Sequence, residues 1–278
     1  MAGELTSQEL RFMREHQEYI ERVDRGLVEL MKAHVSHPLW EPMMYSLKGG
    51  KRLRPLVVLL VNEALGPGEE DPVPATAAVE LLHTVSLIHD DVIDREDDRR
   101  GRMAYYKRYG LDSALLSADF VLGIILDITS RYKERAIGGE LARAAIEMSA
   151  GEELERKLIK SAQGVTWEEY VKVLKQKTAS LFRAAAALGA LLSSKPSLSD
   201  RFSEFGLELG MAYQLRDDLS DMDRPNELIG ALEVPGGRAA ERVMTEADRY
   251  TAASLETLRD VPPSPALSKL EKLVAEYF

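Results

Sequence analysis

Apolar residues recur at three- and four-residue spacing along most of this 278-residue chain, and that period commits it to helices. Leu10, Met13, Ile20, Val23, Leu27 and Leu30 form one broad stripe, with Thr6 and Glu9 ahead of it at capping-box spacing, so a long first helix is expected. Pro55 suits the first turn of a second helix through Leu65, GPGEEDP breaks the pattern, and Pro74 opens a third helix running to Asp94. Further helical stretches fall at 112–131, 138–162, 167–192, 200–222 and 238–259, while alternating strand patterns are scarce. The expected fold class is all-α. One large helical bundle, a single domain over residues 1–278, is the simplest organisation, because no low-complexity linker or fixed-period repeat divides the chain.

The chain is 45% hydrophobic and 29% charged, enough to bury a substantial core without staples. It has no cysteine, which excludes disulfides, iron–sulfur clusters, thiolate zinc sites and cysteine nucleophiles, and agrees with a reducing compartment. Against 36 Lys and Arg stand 46 Asp and Glu, a formal charge of −10 that argues against generic nucleic-acid binding. The opening MAGELTSQEL lacks the basic-then-apolar pattern of a secretory signal. The most apolar windows, 56–61 and 184–192, fall well short of the ~20 residues that cross a bilayer. A cytoplasmic protein with no membrane span is expected.

Two acidic stretches carry the chemistry. In SLIHDDVIDREDDRRGR, Asp90 and Asp94 share one helix face, with Asp91 beside them, at the end of an apolar run. Like charges at this spacing destabilise a helix by roughly 0.2–0.5 kcal/mol per pair, so a bound cation is a natural reason to keep them. An acidic helix end in water accounts for one such cluster equally well. GMAYQLRDDLSDMD repeats the spacing with Asp217, Asp218 and Asp221, and two independent copies favour metal binding. Hard carboxylate oxygens suit Mg²⁺, whose shell is typically completed by water and substrate phosphate. The expected ligand is a diphosphate, held between helices of a bundle.

Basic residues stand where a diphosphate needs them. Gly49, Gly50, Lys51, Arg52 and Arg54 lie in GGKRLRP, a flexible turn feeding a helix start, where backbone N–H groups favour anions. Arg99 and Arg100 follow the first acidic cluster. An ordinary basic surface turn would look the same in isolation.

Taken together, GGKRLRP, ELLHTVSLIHDDVIDREDDRRG, QKTASLF and GMAYQLRDDLSD, in that order over nearly the whole chain, resemble the trans-isoprenyl diphosphate synthases, or polyprenyl synthetase family. The resemblance implies an all-α bundle around a central cavity, usually a homodimer, that condenses an allylic diphosphate with isopentenyl diphosphate. It implies about three Mg²⁺ ions on the allylic diphosphate, with Asp90, Asp94 and Asp217 as principal ligands and Asp91, Asp218 and Asp221 completing the acidic motifs. By the same match Arg99 and Lys177 grip that diphosphate, Gln214 and the backbone at Thr178 stabilise the allylic cation, and Lys51, Arg54, His83 and Arg100 hold isopentenyl diphosphate. On the residues alone, His83 reads as a core histidine, Lys177 and Thr178 as surface or helix-start residues, and Gln214 as a buried amide.

In this family the product grows into the cavity below the first acidic motif, and bulky aromatics about one turn before it stop growth early. Val85 and Ser86 stand there, so the resemblance implies geranylgeranyl diphosphate or a longer product, unless an aromatic such as Phe120 or Phe182 supplies a floor elsewhere.

Two stretches depart from the family pattern. The loop 222–238, MDRPNELIGALEVPGGR, has Arg224 as its only early basic residue, and 151–155 reads GEELE where relatives carry Gly-Gln followed by Asp. These departures keep open a low-activity or regulatory subunit of a heteromeric prenyl synthase. A terpene cyclase is the other rival, though the DDLSD motif and the isopentenyl-site residues count against it.

Overall fold

The computed structural model describes residues 7–161, 164–220, 222, 228–233 and 238–277. Its backbone clusters into two compact units, Met1–Leu59 with Asp71–Gly138, and Leu60–Glu70 with Gly139–Phe278. The capping pair Thr6 and Glu9, the acidic residue Asp221 and Arg224 lie outside the described groups.

The first unit holds α1 (Ser7–Glu15), α2 (Gln17–Lys32), α3 (Trp40–Ser46), the start of α4 (Leu53–Ala64) and α5 (Val73–Asp94). After α5 come the strands β1 (Asp98–Arg99) and β2 (Arg102–Met103), then α6 (Tyr105–Tyr109) and α7 (Leu111–Arg131). The expected long first helix is broken at His16, whose backbone leaves the helical region at φ −113° and ψ 15°. Apolar spacing continues through such a kink, so spacing alone does not reveal it. Tyr19, Ile20, Val23, Leu27 and Met31 give α2 the buried stripe its period demands. Gly26 of α2 lies where an added Cβ would collide with Val73 at the start of α5. Ala75, Ala77, Ala78, Val79 and Leu81 are wholly buried, and α5 is therefore apolar on most sides rather than striped.

The second unit receives the end of α4 and contains α8 (Ala136–Lys160) from Gly139 onward, α9 (Trp167–Leu174), α10 (Ser180–Leu191), α11 (Ser199–Ser220), α12 (Ala239–Leu258) and α13 (Pro265–Tyr277). Thr166 opens α9 with a complete capping box, its hydroxyl accepting from Glu169 N–H while the Glu169 side chain accepts from the Thr166 backbone. Such a cap is worth about 1 kcal/mol. A single helix was expected over 167–192, but a π-helical turn, Lys175–Ala179, separates α9 from α10. Gly206 and Gly210 then let α11 lie directly on this stretch. A Cβ at Gly210 would stand 2.6 Å from Ala179 Cα, and one at Gly206 would meet the Phe182 carbonyl.

Both apolar windows are core: Leu56 to Val61 and Ala184 to Ala187 are almost completely buried. The all-α expectation holds, with α3, α6, α13 and the small β1–β2 hairpin as additions. Among the described residues no helix is long and apolar enough to cross a membrane.

Candidate active site

In the first unit, α5 carries the acidic motif on its last turns. His83, Asp90 and Asp94 fall at i, i+7 and i+11 and so share one face. Asp90 is half-buried and Asp94 exposed, whereas Asp91 is turned inward and buried. Arg99 donates from Nε to Asp91 Oδ1 at 2.7 Å and pairs with the same oxygen through Nη2. Burial pushes the Asp91 carboxyl upward, and Arg99 pulls it back. The helix ends with Arg95 in the left-handed region. Hairpin β1–β2 follows, its two-residue turn made by Arg100 (φ 53°) and Gly101 (φ 69°), the backbone of a type I′ turn.

That turn brings Arg100 onto the GGKR loop, where its guanidinium donates to Gly49 carbonyl at 3.1 Å. Gly50, at φ 94°, has the left-handed backbone that favours glycine, and the Arg100 guanidinium lies 2.7 Å from where a Cβ would stand. Arg54, on the first turn of α4, lies 3.2 Å from His83 Nε2. A guanidinium only donates, so Nε2 accepts and the ring proton sits on Nδ1. Burial, then the charges of Arg54, Arg100, Arg52 and Arg99, hold the His83 imidazole well below its usual pKa, which keeps it neutral. The structure thus gathers Arg54, His83 and Arg100, with Lys51 between Gly50 and Arg52.

Arg52 has a different part. It is buried, donates to Asp24 at 2.8 Å and Glu80 at 2.6 Å, and also bonds the Leu47 carbonyl. It ties the loop to α2 and α5 rather than facing a ligand. Val85 is buried one turn before the acidic motif, and Ser86, half-buried beside it, donates to the His83 carbonyl. Phe120 stacks on His37 at 4.1 Å between ring centroids, and Phe182 is enclosed beside Gly210 and Tyr213.

In the second unit, Lys177 and Thr178 stand in the π-helical turn, a feature often found at functional sites. Lys177 Nζ lies 2.7 Å from Glu152 Oε2 and also pairs with Glu155, both on α8. Gly151 makes this possible, because a Cβ there would strike the Lys177 backbone. The GEELE departure therefore supplies two carboxylates to Lys177. Thr178 Oγ1 donates to Gln214 Oε1 at 2.8 Å, and Gln214 Nε2 donates to Asp218 Oδ1 at 2.6 Å. Tyr170 donates its hydroxyl to Asp218 Oδ2 at 2.6 Å, a partner that spacing alone does not reveal. Burial and the neighbouring carboxylate push the Tyr170 phenol far up, so it remains a donor. Asp217 is exposed on α11.

Among the described residues no three acidic or histidine side chains converge to cage a metal unaided. Asp90 and Asp94, one turn apart, are nonetheless the hard-oxygen donors that a magnesium ion finished by water and phosphate takes.

The sequence matches the family model described as Polyprenyl synthetase over residues 36–231. A geranylgeranyl diphosphate synthase of Methanosarcina mazei is 34% identical over 215 residues, spanning 75% of this chain and 66% of that protein. A geranylfarnesyl diphosphate synthase of the same organism is 32% identical over 260 residues, 89% and 83% of the two chains. The crystal structure of geranylgeranyl pyrophosphate synthetase from Pyrococcus horikoshii matches with a TM-score of 0.84 at 25% identity, over 95% of this chain and 97% of that one. The chain belongs to the polyprenyl synthetase family and has the all-α isoprenoid synthase fold. It is an isoprenyl diphosphate synthase, a transferase that elongates prenyl chains. The family is magnesium-dependent.

Proposed function

We propose that the chain condenses isopentenyl diphosphate with an allylic diphosphate to give geranylgeranyl diphosphate or a longer polyprenyl diphosphate. One observation carries this reading. A single face of α5 holds His83, bonded to Arg54, and the carboxylates Asp90 and Asp94 about 10 Å and about 16 Å further along the axis. An anion-binding group and cation-binding groups so spaced suit two diphosphates, one bound directly and one through metal.

Asp90, Asp94 and Asp217 would hold about three magnesium ions, with Asp91, Asp218 and Asp221 as the further acidic members of the two motifs. Bound magnesium neutralises the allylic diphosphate and makes it a better leaving group. Arg99 and Lys177 grip that diphosphate, and as its C–O bond breaks the pair stays with the departing pyrophosphate oxygen. Gln214 and the backbone at Thr178 turn oxygen dipoles to the allylic cation left behind. Lys51, Arg54, His83 and Arg100 hold isopentenyl diphosphate with its double bond against that carbon. The π pair forms the new C–C bond, and loss of a proton to the released pyrophosphate regenerates an alkene. Val85 and Ser86, neither of them aromatic, leave room for a growing chain, which favours a product beyond farnesyl length.

A homodimer in the cytoplasm, each copy one synthase domain over residues 1–278, completes the proposal. Leu111, Leu115, Leu122 and Leu126 form an exposed apolar stripe on α7, 50–59% open, opposite the stripe that α7 buries on its own unit. A second copy of the same surface would cover it.

The roles are tested by Asp90→Ala and Asp217→Ala, expected to abolish turnover while the protein stays folded, and by Lys51→Ala, expected to raise KM for isopentenyl diphosphate more than for the allylic partner. Equal effects of Lys51→Ala on both substrates would contradict its assignment.

A further inference from the structure

The aspartates at 217 and 218 are adjacent in sequence, but α11 turns them apart, and the structure gives them different surroundings. Asp217 is exposed, whereas Asp218 accepts a hydrogen bond at each carboxylate oxygen, from Tyr170 and from Gln214. Tyr170 is wholly buried among Val173, Leu174, Met211 and Leu215, with Trp167 against its ring at 5.6 Å. Its hydroxyl is the one polar group of an otherwise apolar side chain, and it is directed at Asp218.

A carboxamide can sit in either of two flipped orientations, and its neighbours decide which. Beside the Asp218 carboxylate, only the nitrogen end of Gln214 fits, because a carboxylate accepts and cannot donate. The oxygen end is thereby aimed at Thr178. A chain of donors and acceptors therefore runs from the core to the π-helical turn: Tyr170 to Asp218, Gln214 to Asp218, Thr178 to Gln214. The core end is anchored by the capping box of α9 and the other by Gly210, one turn before Gln214, packed on Ala179.

We propose that Tyr170 is a positioning residue for the condensation: through Asp218 it fixes the carboxamide of Gln214, and with it the Thr178 residue whose hydroxyl donates to that carboxamide, in one orientation beside the allylic carbon. Asp218 then serves as the hinge of this relay, and the metal falls to Asp217. The inference rests on the reading that Gln214 and the backbone at Thr178 face the reacting carbon.

The experiment measures kcat, both substrate KM values and the magnesium concentration at half-maximal rate for Tyr170→Phe, Gln214→Ala and their double variant, and for Asp218→Asn. Tyr170→Phe keeps the ring and loses the hydroxyl; kcat falls about tenfold or more, in the range for partners that orient a reacting group, while KM values and magnesium dependence stay within about twofold. In the Gln214→Ala background the same change costs less than about twofold, because the relay is already cut. A packing defect would reduce both backgrounds alike, and that outcome overturns the proposal, as does full activity of folded Tyr170→Phe. Asp218→Asn reads the relay independently of whether Tyr170→Phe folds. It loses kcat at unchanged magnesium half-saturation, and a raised magnesium requirement would make Asp218 a metal ligand and refute its hinge role. Gln214→Ala with undiminished kcat would instead sink the underlying reading of the carbocation site.

Discussion

Lys177 Nζ stands 2.7 Å from Glu152 Oε2, with Glu155 of the same helix as its second carboxylate partner. In the proposed role, the lysine that grips the allylic diphosphate starts out held by two acids. The substrate then competes with them, and the GEELE sequence is expected to set affinity for the allylic partner. Glu152→Gln removes one competing charge and is expected to lower KM for the allylic diphosphate by about three- to tenfold, less than a full buried charge-assisted bond because the pair is partly exposed. Steady-state kinetics with the allylic substrate varied checks this, and a raised KM would mean that Glu152 orients Lys177 instead of restraining it.

His83 predicts a pH dependence of stability. Its folded pKa lies well below the ordinary 6.5, from burial first and the surrounding arginines second. Between those two values the unfolded chain binds the proton and the folded one does not, so stability present above pH 6.5 is lost as the pH falls toward the folded value. His83→Gln keeps an acceptor for Arg54 and removes the titration. Burial shifts His89 in the same direction, so the informative quantity is the difference between variant and parent. Thermal melts from pH 7.5 to 5 should show a shallower acid loss in the variant, and parallel curves would refute the assignment.

Arg52 holds the GGKR loop from beneath. Its side chain is 5% exposed and that of its partner Glu80 3%. Arg52→Met leaves Glu80 buried without this cation, a loss of about 3–5 kcal/mol for breaking a buried pair. Urea unfolding should show a lower midpoint at unchanged slope. Arg52→Lys should not restore stability, because one ammonium cannot serve Asp24, Glu80 and the Leu47 carbonyl as the planar fork does.

The exposed α7 stripe predicts the oligomeric state. Placing charge on it, as Leu115→Glu with Leu122→Glu, should convert dimer to monomer in sedimentation equilibrium. A parent protein that sediments as a monomer would remove the dimer from the account.

Val85 sits 7% exposed one turn before the acidic motif. Val85→Phe should shorten the main product by one isoprene unit or more as read by mass spectrometry. An unchanged distribution would put the end of the chain-growth space elsewhere.

The motifs were legible because their chemistry forces unusual residues into helical register: Asp90 with Asp94, and Asp217 with Asp221, show in spacing alone. The central helix Val73–Asp94 was readable from Pro74 and an unbroken apolar run. Side-chain partnership was not. Nothing in GGKRLRP separates buried Arg52 from half-buried Lys51, since the distinction lies in Asp24 and Glu80, 28 residues away on either side. The break at His16 and the π-helical turn at Lys175–Ala179 preserve helical spacing nearly unchanged, so periodicity passes over them. Tyr170 reads as one more core aromatic until its hydroxyl is seen on Asp218.

The most direct measurement is to incubate the purified chain with Mg²⁺ and isopentenyl diphosphate, adding dimethylallyl, geranyl or farnesyl diphosphate in turn, and to identify the products by mass spectrometry. The account predicts linear diphosphates extended by isoprene units to geranylgeranyl length or beyond, with isopentenyl diphosphate consumed in step. Cyclised hydrocarbons formed without isopentenyl consumption, or binding of diphosphate with no turnover, would contradict it.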